Sequence, residues 1–442
     1  MYLRLKSYFQ TIRKLDIGNQ LFLYGIFFLP STSLIGFLLL LFSLIISFKR
    51  SKNSFLKDPW HIPLIISIGL IIFSTINIIF LNNPYSFENL DSKIIWVNLL
   101  KWIVLIISFV GFQNFLECNK QRKLFAQFLI SGTIPLIFSC FLQKFFLDQG
   151  PYQILNGLII WFQKPLHITG GVSGLFSNVN YTGIWLGLTL PFCISLSRTG
   201  KNKTDKLILL ILIILFSYFI FETTSRNAYL GLMLSFIFLI NFRYSIIFLI
   251  FQFSIFISTK FLNLREFNFF GINFNLPIIS TIADLSSSSI DPDDSRLIIF
   301  KEAFFLVKER PFFGWGVSTF NFNFMKNNLN ELDILKENPN HTHNMPLELA
   351  YNFGIPLAII LVTLTIVLLL ISIKKLNRYK FNKEEFLLSK AWILSTLIII
   401  TTHLNDVTFY EDRIGILISI LFAGLRGFIK DNKLSYFVLK EE

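Results

Sequence analysis

Residues 340–373 read NHTHNMPLELAYNFGIPLAIILVTLTIVLLLISI. The head of this stretch is polar and holds His341 and His343, two of the chain's five histidines. The remainder, from 346 to 373, is an almost unbroken apolar run. It exceeds the roughly 18 residues a helix needs to cross about 30 Å of hydrocarbon. Ionisable side chains therefore stand where a long apolar helix meets a membrane surface, and chemistry is expected there.

The same pattern extends outward. Apolar runs cover residues 20–29, 33–48, 60–81, 94–116, 124–147, 176–196, 207–221, 227–240, 244–259, 386–402 and 414–428. Of the 442 residues 53% are hydrophobic, 53 of them Phe, and mean hydropathy is +0.60, a composition a soluble domain would not carry. Lipid offers no partner for backbone polar groups, so spanning segments are helices or closed barrels. Alternation of period two is absent, which selects helices. The fold class is an all-α, polytopic membrane protein.

Net charge is +13. Lys and Arg fall in short connections, where they set topology, so no nucleic-acid partner is expected. Taken alternately, one set of connections is rich in them, for example Lys49, Arg50, Lys52 and Lys57, or Lys374, Lys375, Arg378, Lys380 and Lys383. The short connections of the other set hold only Lys93, Lys164, Arg226 and Arg413. The rich set is expected on the cytoplasmic side. This works throughout if 20–48 is a helical hairpin, broken at Pro30-Ser31-Thr32, which gives about twelve spans with both termini inside. The organisation is then spanning helices over 1–259, one large outward loop over 260–345 containing short helices, and spanning helices over 346–442. Residues 1–19 are polar and basic and do not read as a cleavable signal peptide. Cys118, Cys140 and Cys193 show neither metal-ligand spacing nor a disulfide framework.

In the outer loop a helix is expected from Arg296 to about Glu309 and ended by Pro311, with Leu297, Phe300, Phe304 and Val307 on one face, toward the membrane or neighbouring helices. Gly314-Trp315-Gly316 reads as a turn whose ring suits the interface. Gly170-Gly171-Val172-Ser173-Gly174 lacks the Lys-Ser/Thr of a phosphate cradle and reads as a loop.

The chemistry-bearing residues leave alternatives open. His341 and His343 suit proton transfer near neutral pH, a structural role at a helix start, or metal ligation. No Cys or carboxylate cluster stands beside them in sequence, so no metal and no cofactor are expected. Arg226 either snorkels at a helix end or binds a substrate anion. Arg296 is a surface arginine or a fork for phosphate oxygens. Asp406, Glu411, Asp412 and Arg413 form a solvated turn or support a nearby base. Lys101 and Lys390 lie in apolar runs with no evident buried carboxylate partner. Asn344 and Glu348 flank the histidines.

Four ordered motifs between Gly170 and Gly427 carry a resemblance. They are Gly174-Leu175-Phe176-Ser177-Asn178-Val179-Asn180, Thr224-Ser225-Arg226-Asn227-Ala228, Arg296 through Pro311-Phe312-Phe313-Gly314-Trp315-Gly316, and His343-Asn344 followed by Gly354. The set resembles the O-antigen ligase/polymerase superfamily, although Leu357 stands where that pattern has Gly, Thr or Tyr. The resemblance implies a GT-C-like membrane glycosyltransferase of the bacterial inner membrane with its active site facing the periplasm. It implies an undecaprenyl-diphosphate-linked glycan as donor, and a sugar hydroxyl of lipid A–core or another glycan as acceptor. By matching, His343 is the general base, and Arg226 and Arg296 hold the diphosphate. His341, Asn344, Glu348, Asp406 and Arg413 are supporting candidates, and the transfer is expected to be inverting and metal-independent. A polysaccharide polymerase using the same donor is the near alternative. A lipid-linked glycan transporter, with no chemistry, is the alternative of another class.

Overall fold

The structure is a computed structural model and describes residues 13–50, 58–77, 92–146, 152–154, 159–161, 171–200, 202–239, 267–269, 272–274, 295–327, 339–431 and 437–438. The expected span at 244–259 and much of the expected outer loop lie outside the described residues. The helices in chain order are α1 (Ile17–Phe28), α2 (Ser33–Arg50), α3 (His61–Ile76), α4 (Ser92–Phe112), α5 (Asn119–Phe146), α6 (Val179–Thr199), α7 (Lys203–Glu222), α8 (Arg226–Leu239), α9 (Ser295–Glu309), α10 (Phe320–Asn327), α11 (Met345–Phe353), α12 (Ile355–Arg378), α13 (Lys383–His403) and α14 (Asp412–Lys430). Among the described residues, strands are confined to three very short antiparallel pairs. Among the described residues, seven helices are long and apolar enough to cross a membrane: α2, α4, α5, α6, α7, α12 and α13.

Residues 20–48 form the expected hairpin: α1 and α2 pack along each other after a four-residue turn over 29–32. α6 and α13 form the middle of the bundle: residues 182–196 of α6 and most of 387–403 of α13 are buried. Trp392 of α13 packs on Phe125 at 4.8 Å and on Phe192 at 5.2 Å between ring centroids. Without a hydrophobic drive between helices in lipid, such close packing and buried hydrogen bonds hold the bundle. One of them runs from Trp185 Nε1 to Thr133 Oγ1 at 3.0 Å.

The two ends differ. At one end lies an ionic knot the sequence does not announce. Asp58 accepts from Arg426 at 2.9 Å and pairs with Lys430 at 2.5 Å. The buried Arg122 pairs with Asp431 at 2.9 Å, and Lys375 donates to the carbonyls of Phe428, Ile429 and Asp431. Cations thus cover the C-terminal carbonyls of α14, where the helix dipole favours them. The histidine loop and the turn after α13 lie at the other end.

Two expectations need correction. The run 346–373 is two helices, broken at Gly354, whose φ of 94° a residue with a side chain rarely adopts. A turn from the outer loop docks there. Trp315 and Gly316 donate their amides to the carbonyls of Tyr351 and Asn352 at 2.7 and 3.0 Å, and Ile355 donates to Pro311 at 2.7 Å. A Cβ on Gly354 would lie 2.1 Å from the Phe312 carbonyl oxygen. On α9, Ile299, Ala303, Leu306 and Val307 turn inward through docking on α11, while Leu297 and Phe304 are exposed, which fits the membrane-facing alternative for their face. Second, Trp315 is buried rather than interfacial. Its indole donates to the Leu306 carbonyl at 2.7 Å and its ring lies under Arg310.

Gly354→Ala should therefore destabilise the fold by at least about 2 kcal/mol, from the disfavoured φ and the backbone clash together. Thermal unfolding of the detergent-solubilised protein checks this, and an unchanged midpoint would contradict it.

Candidate functional site

The site is assembled on the start of α11. Asn344 is its N-cap, accepting from the Leu347 amide at 3.0 Å, and Pro346 occupies the first turn, where its missing N–H costs nothing. The other face of the Asn344 amide donates to the Leu404 carbonyl at 2.9 Å. One side chain thus ties the histidine loop to the turn after α13. Glu348, only 2% exposed, reaches back to the Thr342 amide at 2.9 Å. Its second oxygen accepts from Asn352 at 2.9 Å and from the Tyr410 hydroxyl. A buried carboxylate is tolerated when its lone pairs are satisfied this fully.

These anchors force His343 into a left-handed backbone with φ 53°. Such strain persists only where the surroundings over-determine it, and it concentrates at functional sites. His343 Nδ1 lies 3.4 Å from Asp406 Oδ1. Asp406 is buried and also accepts from the Val407 amide at 2.8 Å. Burial works to raise its carboxyl pKa, but the hydrogen bond and charge of His343, with the Val407 amide, hold it below its usual 3.8. The group is therefore an anion at neutral pH. With Nδ1–H donating to that anion, Nε2 carries the lone pair, and Nε2 has no hydrogen-bond partner among the described residues.

His341 stacks 4.5 Å from His343 and 5.6 Å from Tyr410, between ring centroids. Burial holds it below the ordinary 6.5, and His343 adds to that. It is a neutral wall beside a ring that can take a proton. The donor atoms of His341, His343 and Asp406 all lie within 4.8 Å of one another, so these three could hold a metal ion. The carboxylate that is missing beside the histidines in sequence comes from 63 residues further on.

The other sequence candidates are placed differently. Arg413 is committed to structure. It pairs with Glu411 at 2.5 Å, donates to the Leu175 and Pro30 carbonyls, and lies 3.8 Å over the Phe176 ring. Lys101 does have a carboxylate partner, Asp412 at 2.9 Å, but an exposed one. Arg226 opens α8 and is exposed, two residues after Thr224 with its own φ of 57°. Arg296 lies half-buried in the first turn of α9, the helix that packs on α11. Among the described residues no hydrogen bond or ion pair joins either arginine to His343.

Sequence reasoning missed Thr342 and Tyr410, which hold the loop through Glu348. Glu348 and Asn352 at i and i+4 in an apolar helix were a usable signal. Tyr410 gave none, since only the fold brings it across.

Beneath the site is an apolar cavity of about 390 Å³. Met345, Pro346, Leu404 and Phe409 line it next to the histidine loop, and Trp60 and Phe422 line it deeper in the bundle.

No curated protein matches the chain. Residues 210–362 match a family model described as O-antigen ligase. The matched segment contains Arg226, Arg296, His341, His343, Asn344 and Glu348, while Asp406 and Arg413 lie beyond it. Over residues 210–362 the chain is similar to the O-antigen ligase family, and the superfamily resemblance read from the sequence stands.

Proposed function

We propose that the protein is a membrane glycosyltransferase, in a bundle of about twelve spans, that moves a glycan from undecaprenyl diphosphate to a sugar hydroxyl, with lipid A–core as the acceptor. The observation that carries this reading is the His343–Asp406 pair at the head of an apolar cavity. His343 Nε2 takes the acceptor hydroxyl proton as its oxygen attacks the anomeric carbon. The anomeric C–O bond to the diphosphate breaks, and the electron pair leaves on the phosphate. Attack and departure on opposite faces invert the anomeric centre. Asp406 holds the imidazole in the useful tautomer and stabilises the imidazolium as it forms. Arg226 and Arg296 neutralise the departing diphosphate, a task planar guanidinium forks perform without a metal. The cavity between α3, α4, α12, α13 and α14 takes the polyprenyl tail. The site faces the periplasm, where lipid-linked glycans are presented.

Reconstitution tests this. Liposomes containing the purified protein receive an undecaprenyl-diphosphate-linked glycan and lipid A–core. Glycan on lipid A–core supports the ligase. Elongated lipid-linked glycan with nothing on the acceptor makes it a polymerase working through the same residues. Donor that crosses the bilayer unchanged overturns the enzyme reading in favour of transport.

A further inference from the structure

The proposed reaction uses His343 and Asp406 as a base and its orienter, and leaves His341 as a wall. The same three side chains also converge as ligands. One atom from each, a ring nitrogen or a carboxylate oxygen, lies within 4.8 Å of the other two. A four-coordinate ion with bonds of about 2.0–2.2 Å spaces its ligands roughly 3.3–3.5 Å apart. The separation of His343 Nδ1 from Asp406 Oδ1, 3.4 Å, is already such an edge. Closure onto an ion then asks a shift on the order of 1 Å of the His341 ring. Among the described residues that ring is held by stacking on His343 and Tyr410 rather than by hydrogen bonds.

The ligand set selects the class of ion. Two imidazoles and one carboxylate suit zinc and its first-row neighbours, whereas magnesium and calcium take oxygen ligands. Three protein ligands leave a fourth position for water. Glu348 is not a fourth ligand, because its two oxygens already serve the Thr342 amide, Asn352 and Tyr410. The Val407 amide supports Asp406 from behind, as the outer partners of metal-binding carboxylates do. The His343 side chain is 28% exposed, so an ion reaches it from solvent.

Such an ion and the proposed base compete. A neutral imidazole has one N–H and one lone pair. An ion on Nδ1 leaves the proton on Nε2, and an ion on Nε2 consumes the lone pair there. Either way His343 can no longer accept the hydroxyl proton. We propose that His341, His343 and Asp406 form a site for a divalent transition-metal ion of the zinc class, and that its occupancy switches the transfer off. The inhibition rests on His343 being the base; the binding does not.

The test uses the whole untagged protein, stripped with EDTA and then freed of it. Zinc is titrated in detergent by competition with a fluorescent chelator, with magnesium as the control. One zinc per chain should bind, and an equal concentration of magnesium should not displace it. His341→Gln and Asp406→Asn should each weaken zinc binding by at least about ten-fold, the least that loss of an outer-shell partner costs. Equal binding by the parent and both variants, or displacement by magnesium, would overturn the site. If the variants do not fold, the unaltered chain still decides. Zinc should protect both His341 and His343 from acylation by diethyl pyrocarbonate, mapped by mass spectrometry, and equal labelling with and without zinc would be fatal. In liposomes, saturating zinc should lower transfer by roughly 10²–10⁴-fold, the worth of the base it occupies, and EDTA should restore it. Transfer that is unaffected or stimulated by zinc bound at these residues would overturn the switch. A His343→Ala chain that transfers at the parent rate would overturn the inhibition together with the base reading, and the binding measurement would still decide the site.

Discussion

Replacing His343 with Ala should lower the rate of glycan transfer by roughly 10²–10⁴-fold, the usual worth of a positioned general base. A sugar hydroxyl is a weak nucleophile until its proton has somewhere to go, and Nε2 is the free basic atom of a ring already anchored through Nδ1 to Asp406. The loss should appear in the rate of the transfer step at saturating donor, with donor affinity little changed, because in the proposed reaction the diphosphate and tail are held elsewhere. Alanine keeps a Cβ, so the backbone at φ 53° stays strained, and the substitution leaves Asp406 without its imidazole partner. The thermal unfolding midpoint of the variant, measured beside the parent's, separates a chemical defect from a folding one. A variant that transfers at the parent rate removes His343 from the mechanism.

Asp406→Asn should cost about 10²-fold in the same step. The substitution keeps the size of the side chain and an oxygen for the Val407 amide, but it removes the negative charge that stabilises the imidazolium as the proton arrives. The depressed carboxyl pKa adds a pH statement. A carboxylate whose pKa is lower folded than unfolded adds stability above the unfolded value, and that stability is lost as pH falls through the folded value. With an ordinary value of 3.8 and a lower one in place, the contribution is complete at neutral pH and is lost only in strong acid. Asp406→Asn should therefore lower the unfolding midpoint at pH 7 and have little effect once the pH has fallen below the folded value. A midpoint difference that grows on acidification would show that Asp406 does not stabilise the fold as an anion.

The membrane class and nearly all the helices could be read from the sequence, because apolar length is a local property. The hairpin at 20–48 followed from charge counting and from Pro30. The break at Gly354 did not, although the glycine was visible in its motif. Its reason is a turn from residues 311–316 packing backbone to backbone on the end of α11, and no periodicity reports a partner that distant. The same cause hid the inner face of α9 and the burial of Trp315. At the site, His343, Asn344 and Glu348 lie on one local stretch and were found together. Asp406 could be named but not placed, since its value depends on Asn344 fastening the loop to Leu404. Arg413 reads in the sequence as part of a turn that is solvated or supports a base. Its salt bridge to Glu411 belongs to that turn, but the two backbone carbonyls and the Phe176 ring that also engage it come from distant segments.

The central claim is a single displacement assisted by His343 without a metal ion. It is tested most directly by the anomeric configuration of the product that the unaltered protein forms in liposomes containing EDTA, read by NMR of the new linkage. Undiminished product, inverted relative to the donor, is expected. Retained configuration would contradict a single displacement. Product that disappears with EDTA and returns with added divalent metal would assign His341, His343 and Asp406 to an ion instead.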